Sequence, residues 1–194
     1  MQKHPLTFPI LNEKDADSSL LSLNLRLSGI IEESISNGPG FRLVVFAQGC
    51  RHNCDGCHNP QSHDFDGGYD VTIREILDLM KENPLLDGIT LSGGDPFEQA
   101  FGFSHLARLA KTMDYHVTTY TGYTFEKLNS NQEQNPHWFR LLEHTDLLID
   151  GPFQLASQNG LLKFRGSENQ RMIDVKASLM SESGVVTLQL DPVV

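Results

Sequence analysis

From Leu21 the chain alternates strictly: Leu21, Leu23, Leu25 and Leu27 fall on one face, and Ser22, Asn24 and Arg26 on the other. A period of two sets one apolar face against a core and leaves the other wet, so this segment predicts a half-buried strand. Ile30 and Ile31 extend it or start another before the turn Asn37-Gly38-Pro39-Gly40. The run Phe41-Arg42-Leu43-Val44-Val45-Phe46 is apolar and rich in β-branched and aromatic residues, which predicts a buried strand. The period then changes. Thr72-Ile73-Arg74-Glu75 has capping-box form, and Ile73, Ile76, Leu77 and Met80 recur at helical spacing until Asn83-Pro84, giving a helix over 72–82. Strands follow over Gly88–Ser92, Tyr115–Tyr120 and Thr145–Ile149, and a second helix spans Phe97–Met113 with Phe101, Leu106, Leu109 and Ala110. Asn129–Asn135 interrupts the next helical region, which resumes over His137–His144. Leu162–Asp174 reads as short strands around Arg165-Gly166-Ser167, and Val185–Leu190 as a further strand with no assigned place in the sheet. Met1–Ser19 is polar and aperiodic and reads as a flexible N-terminal extension to a single domain over 20–194.

Strands alternating with helices imply an α/β fold of parallel βαβ units with right-handed crossovers. Four repeats in about a hundred residues are too few for a full eight-stranded barrel and suit an open, partial parallel βα barrel. Ligands in such folds gather at the carboxyl ends of the strands. The unusual loops lie there: the segment from Cys50, then Ser92-Gly93-Gly94-Asp95, Thr121-Gly122-Tyr123 and Asp150-Gly151 each follow a predicted strand. One rim is expected to carry all four.

Composition narrows the chemistry. At 194 residues, 39% hydrophobic and 21% charged, the chain can bury one substantial core. It shows neither a signal-like leader nor an apolar run of the about eighteen residues that span a bilayer, so a cytoplasmic protein with no membrane partner is expected. A net charge of -10 with scattered basic residues argues against a nucleic-acid partner. The three cysteines, Cys50, Cys54 and Cys57, are the only ones in the chain and form a C-x3-C-x2-C loop. An odd, clustered set in a cytosolic chain points to metal or redox chemistry rather than disulfides. Three thiolates can wrap three corners of a 4Fe-4S cluster and leave one iron open. The alternative is a zinc site completed by His52, His58 or His63, although structural zinc sites normally draw ligands from two separated knuckles. No Ser-His-Asp or Cys-His arrangement can be traced, so a hydrolytic nucleophile is not expected.

A C-x3-C-x2-C loop after the first buried strand resembles the radical S-adenosylmethionine (SAM) enzymes. The run Asn37-Gly38-Pro39-Gly40-Phe41-Arg42 leading to Gly49-Cys50 is similar to the glycyl-radical-enzyme activases. Ser92-Gly93-Gly94-Asp95-Pro96, Tyr120-Thr121-Gly122-Tyr123, Asp150-Gly151-Pro152-Phe153 and Phe164-Arg165-Gly166-Ser167-Glu168-Asn169-Gln170-Arg171 resemble segments of the activating proteins of anaerobic ribonucleoside-triphosphate reductases. The resemblance implies a partial barrel of the radical SAM type, with Cys50, Cys54 and Cys57 holding a 4Fe-4S cluster and SAM chelating the open iron. One electron, from a flavodoxin-like or ferredoxin-like donor, would cleave SAM to methionine and a 5′-deoxyadenosyl radical. That radical would take a hydrogen from the Cα of a glycine in the partner reductase.

The same resemblance assigns Gly56, His58, Ser92, Gly93, Gly94, Asp95, Thr121, Asp150 and Arg165 to the cofactor. Gly56 stands where the superfamily usually has an aromatic residue and the reductase activases have glycine, which leaves His58 as the nearest planar neighbour for adenine. Pro152 stands where formate-lyase activases carry a cofactor-contacting lysine, so that contact does not transfer. Gly93 and Gly94 allow the backbone to approach the methionine end of SAM, or simply end a strand. Asp95 can accept from the SAM ammonium or cap the next helix. Asp150 can accept from a ribose hydroxyl or form a turn before Gly151. Arg165 can offer a bidentate fork to a carboxylate of SAM or of the partner, or serve as a surface or structural charge. Thr121 and Tyr123 contact cofactor or close the loop, with packing the simpler role for Tyr123. Two further readings are a radical SAM enzyme acting on a small molecule, like the 7-carboxy-7-deazaguanine synthases, and a zinc-stabilised binding module without catalysis.

Overall fold

The parallel strands of the sheet are the unbroken apolar runs, and the alternating segment lies antiparallel beside them. The computed structural model describes residues 19–189. Residues 1–18 of the expected extension, and Leu190, lie outside the described residues. The strands are β1 (Asn24–Ser34), β2 (Arg42–Ala47), β3 (Tyr69–Thr72), β4 (Gly88–Gly93), β5 (His116–Tyr120), β6 (Leu147–Asp150) and β7 (Arg171–Asp174). The helices are α1 (Ile73–Glu82), α2 (Ala100–Thr112), α3 (Phe125–Ser130), α4 (Pro136–Glu143) and α5 (Val175–Met180). Among the described residues one sheet runs in the order β3-β1-β2-β4-β5-β6-β7. Its centre, β2-β4-β5-β6, is parallel. The expected partial parallel βα barrel is this centre, and it is flanked by strands that pair antiparallel, β1 and β3 on one side and β7 on the other. Parallel pairing needs a long crossover, usually a helix. The link from β1 to β2 is a short turn, and the link from β6 to β7 carries no α-helix, so both return antiparallel. The result is an open, incomplete βα barrel with β3 and β7 as its edges. Among the described residues no helix is long and apolar enough to cross a membrane.

Boundaries shift where side chains overrule periodicity. Leu21 and Leu23 precede β1, and the alternation becomes strand from Asn24, with Leu25 and Leu27 fully buried. Asp95 caps a 3-10 turn, Pro96–Gln99, so α2 begins at Ala100 rather than at Phe97. Thr145 lies before β6 rather than in it; its hydroxyl bonds Thr119 Oγ1 (2.8 Å) and Leu141 O (2.9 Å). Of the short strands expected over Leu162–Asp174, β7 forms at the end of the stretch, while the part around Arg165 is a loop with one bridge, Gln158 to Ser167; the strand expected over Val185–Leu190 is reduced, among the described residues, to a bridge between Ile173 and Thr187. The helical region expected on either side of Asn129–Asn135 is α3 and α4, while periodicity passed over β3 and α5, which are 4 and 6 residues long.

The two faces of the parallel strands differ. Leu43, Val45, Ala47, Ile89, Leu91, Val117 and Leu148 join Ile76, Met80, Phe103, Leu106 and Leu141 of the helices in one apolar core. The alternate positions, Arg42, Thr90, Ser92, Thr118 and Tyr120, turn to the inner face of the barrel. There the fully buried Arg42 guanidinium donates to Thr90 Oγ1 (3.1 Å), Thr118 Oγ1 (3.0 Å), His116 O (2.9 Å) and Ile89 O. Burial pushes Arg42 down to about 10, and Asp87 and Asp146 oppose that shift. At the other end of the strands, Arg171 on β7 grips Asp150 (Nε to Oδ1, 3.0 Å) and, bidentately, Glu126 on α3 (2.9 and 2.8 Å).

Two outcomes follow. Arg42→Met leaves several buried acceptors without a donor and should cost about 3 kcal/mol or more in urea unfolding; a loss below about 1 kcal/mol would show that the floor repacks. The Arg171 hydrogen bonds hold Glu126 down to about 2, below the ordinary 4.5. A depressed carboxylate stabilises above its unfolded pKa and loses that contribution as pH falls toward the folded one. Glu126→Gln should therefore lower the melting temperature at about pH 6 and bring it closer to the parent's at about pH 2 to 3. A gap between the two that does not change with pH would refute the linkage.

Candidate active site

The cysteine loop begins where β2 runs out. Gly49 N donates to Ser62 O (2.8 Å) and Cys50 N to His63 O (3.1 Å), so the returning segment closes the loop on itself. Asn53 and Gly56 take left-handed backbone (φ 46 and 71), and Cys57 N bonds Cys54 O (3.1 Å). These two reversals bring all three thiols to one side. The cysteines are free and half-buried. Burial pushes Cys50 up to about 11, and backbone N–H groups of His52 and Asn53 directed at its sulfur oppose that; Cys54 is likewise raised by burial and opposed by the Phe153 N–H. Asn59 N lies 3.4 Å from Cys57 Sγ. Desolvated sulfurs met by backbone donors suit thiolates that bind iron, and iron binding would displace their protons.

Two of the three histidines that could complete a zinc shell make other contacts. His52 Nε2 bonds Asp95 Oδ2 (2.9 Å), and the His58 ring packs 4.9 Å from Phe153. Among the described residues no three His, Cys, Asp or Glu side chains are arranged around a single metal ion. Three free thiols lining one cavity are the donor type that 4Fe-4S clusters take.

The three cysteines open onto a cavity of about 460 Å³, within the range of small-molecule sites. It gathers nine of the assigned or ligating residues: Cys50, Cys54, Cys57, His58, Ser92, Gly93, Gly94, Thr121 and Arg165. Gly56, Asp95 and Asp150 are not among its lining residues. Asp95 is wholly buried, and its carboxylate accepts from Phe97 N (2.9 Å), Thr121 Oγ1 (2.9 Å), Gly122 N (3.0 Å) and His52. It caps the turn before α2, as an Asp before Pro can, and it also fastens three strand-end loops together. Asp150 gives both oxygens to Arg171 and accepts from Phe125 N (2.8 Å), so its place is at the start of α3.

Gly93 and Gly94 line the cavity, and packing requires them as well. A Cβ on Gly93 would run into the backbone of Phe46 and Ala47, and one on Gly94 into Gly49 and Ser62. The absent side chains allow Gly94 N to reach Ala47 O (2.7 Å) and Asp95 N to reach Gly49 O (3.0 Å), directly against the cysteine loop. A Cβ at Gly56 would sit 3.0 Å from Leu155 Cδ1, so Leu155 fills space beside the position where an aromatic side chain was expected. Arg165 donates through one terminal nitrogen to Gln170 O (3.0 Å), while its buried Nε has no protein partner. Tyr123 packs, as expected, between His52 (4.4 Å) and Trp138 (4.6 Å) and donates to Glu98 (2.6 Å), which also holds Arg51 of the cysteine loop (2.8 Å).

Sequence reasoning missed Phe153, Leu162, Phe164 and Gln170, which build the wall after β6. Gln170 ties that wall down: its Nε2 donates to Gly151 O (3.1 Å) and its Oε1 accepts from Gly166 N (2.8 Å). Phe164 adopts left-handed backbone (φ 59) and packs beside Tyr120, Leu147 and Ile149. Neither feature has a periodicity that could have signalled it.

The 4Fe-4S single cluster domain family matches residues 36–173. An anaerobic ribonucleoside-triphosphate reductase-activating protein of Vibrio cholerae is 34% identical over 144 residues, covering 70% of this chain and 89% of that protein. Its counterpart in Haemophilus influenzae is 33% identical over 145 residues, with the same coverage. A pyruvate formate-lyase-activating enzyme of Clostridium pasteurianum is 34% identical over 130 residues, 64% of this chain and 50% of that enzyme. Among solved structures, QueE from Escherichia coli aligns with a TM-score of 0.43 at 13% identity, over 52% of this chain and 53% of that one. By its cysteine loop, and by identity above 30% over more than two thirds of its length, the chain belongs to the family of anaerobic ribonucleoside-triphosphate reductase-activating proteins.

Proposed function

We propose that this protein is a radical SAM activase that installs a glycyl radical on an anaerobic ribonucleoside-triphosphate reductase. The observation that carries the reading is the meeting of three free cysteines, the Gly93-Gly94 strand end and Arg165 around one cavity. Cys50, Cys54 and Cys57 would hold a 4Fe-4S cluster through three irons. Held there with SAM, such a cluster would supply one-electron reductive cleavage of the sulfonium, the chemistry needed to remove a hydrogen atom from a glycine Cα. The protein's part is to bind, orient and exclude water. Backbone carbonyls around Ser92, Gly93 and Gly94 offer acceptors to an ammonium. The Nε of Arg165, buried and unpartnered, suits a carboxylate that desolvates with it. His58 and Phe153 put two rings in contact on the same wall, tilted by 48°, and either ring suits a purine face. Asp95 acts through the loops it ties together. The electron would come from a flavodoxin-like or ferredoxin-like donor in the cytoplasm.

Anaerobic reconstitution with iron, sulfide, SAM, a reductant and the reductase tests this reading. A glycyl-radical doublet on the reductase is expected in the electron paramagnetic resonance spectrum. SAM cleavage without that doublet would move the assignment to a small-molecule substrate, and a colourless protein holding one zinc and no acid-labile sulfide would sink both. Cys54→Ala should lose iron and sulfide while keeping the parent's circular dichroism; parental iron content would refute the ligand assignment. Asp95→Asn turns an amide N–H₂ toward donors that need an acceptor. It should lower stability by about 1–3 kcal/mol and reduce the iron retained after gel filtration. Full iron retention in a destabilised variant would separate Asp95 from the site.

A further inference from the structure

One wall of the cavity comes from outside the parallel barrel, from the excursion between β6 and β7. This excursion makes a 3-10 turn at Leu155–Ser157 and bonds to itself: Asn159 N to Gly166 O (3.1 Å), Glu168 N to Ser157 O (3.0 Å) and the bridge from Gln158 to Ser167. Asn169 Nδ2 fastens it to Pro152 O (2.8 Å). A loop held by its own backbone keeps its shape without burying its tip. Its inner side gives Phe153 and Leu162 to the cavity, while on its outer side Leu155 and Leu161 are 54% and 90% exposed. Single exposed leucines need no explanation. These two lie on one rigid lip that continues into the apolar cavity wall, and Leu155 abuts Gly56 of the cysteine loop. From Phe153 to Leu162 the lip carries no charged side chain, in a protein of net charge -10.

We infer that this lip is the docking surface for the glycine-bearing segment of the reductase, an inference that rests on the proposed activase function. The atom that reacts belongs to another protein, and its Cα has to reach the cavity that holds the cysteines. An extended chain rises about 3.3 Å per residue, so the residues flanking that glycine must cross the mouth, where the lip stands. A neutral, apolar lip on an acidic protein takes a neutral segment with apolar side chains beside its glycine and avoids the repulsion that an acidic segment would meet. The exposed amides of Gln154 and Gln158 can pair with the peptide groups of such a segment. The lip thus recognises a polypeptide, while the cavity behind it takes the cofactor.

The test uses the full-length, cluster-reconstituted protein and the purified reductase. Leu161→Asp should raise the KM for the reductase about tenfold, leaving kcat and the reductase-free formation of 5′-deoxyadenosine under dithionite at the parent's values. Leu161→Met should restore the parental KM. Met180→Asp, at another strongly exposed apolar position, on α5 (77%), should change nothing. A KM for Leu161→Asp within about twofold of the parent would overturn the docking surface, and so would an equal loss of reductase-free cleavage, which would make Leu161 part of the cofactor wall. If the unsubstituted protein forms no 5′-deoxyadenosine at all, the activase reading falls first and the docking surface falls with it.

Discussion

The Asp95 carboxylate accepts from an imidazole, a hydroxyl and two backbone N–H groups at a place with no solvent. A buried carboxylate without donors would cost several kcal/mol, so each donor is held where the oxygens require it. Those donors sit on three chain segments: His52 in the cysteine loop, Phe97 before α2, and Thr121 with Gly122 after β5. One acceptor therefore fixes the relative height of three strand ends. The cavity exists because these ends meet around it while their backbones stay clear of its centre. Glu98 repeats the device nearer the surface, joining Arg51 to Tyr123.

Arg42 performs the corresponding task at the opposite end of the same strands. Its guanidinium is a rigid planar fork, and its donors reach β4 and β5 at once. The approach is so close that a Cβ on Gly88 would collide with the guanidinium and with His116 O. Helices cover the outer face of the parallel strands, while loops close much of the inner one: Thr90 Oγ1 donates to Asn37 O (2.8 Å), and Phe164 packs against Leu147 and Ile149. Thr90 and Thr118 are tolerated in that buried floor because the Arg42 guanidinium donates to both hydroxyls, and Ser92, one step further along β4, reaches the cavity.

This explains what could be read in advance. The capping box Thr72–Glu75 announced α1 because its two hydrogen bonds are local, 3.2 and 2.7 Å between residues three apart. The cysteine spacing announced the site because ligation sets the spacing. β4 gave up its location but not its faces: Gly-Ile-Thr-Leu-Ser is buried throughout, and only the three-dimensional sheet separates Ile89 and Leu91 from Thr90 and Ser92. The antiparallel pairing of β3 and β7 was hidden because pairing direction depends on connection length, which hydrophobic periodicity does not report. Asp95 and Asp150 were each open between a ligand role and a local one. Their partners, His52 and Arg171, lie 43 and 21 residues away, beyond any motif.

Gly56 joins these strands of argument. Read alone, it is a loss, the aromatic residue of a larger superfamily deleted. In the fold, Leu155 occupies the adjoining space, and the excursion that carries it also supplies Phe153 against His58. The apolar part of the cavity wall comes from the segment after β6, through Phe153, Leu162 and Phe164. A wall built from a self-bonded loop differs from one built from a single side chain, because it has an outer surface as well as an inner one. Substitutions at the tip can alter what approaches from outside without moving the thiols, since Gln170 and Asn169 anchor the base of the loop independently of its tip. Cofactor binding and partner recognition are then separable in this protein, although they share one short stretch of chain.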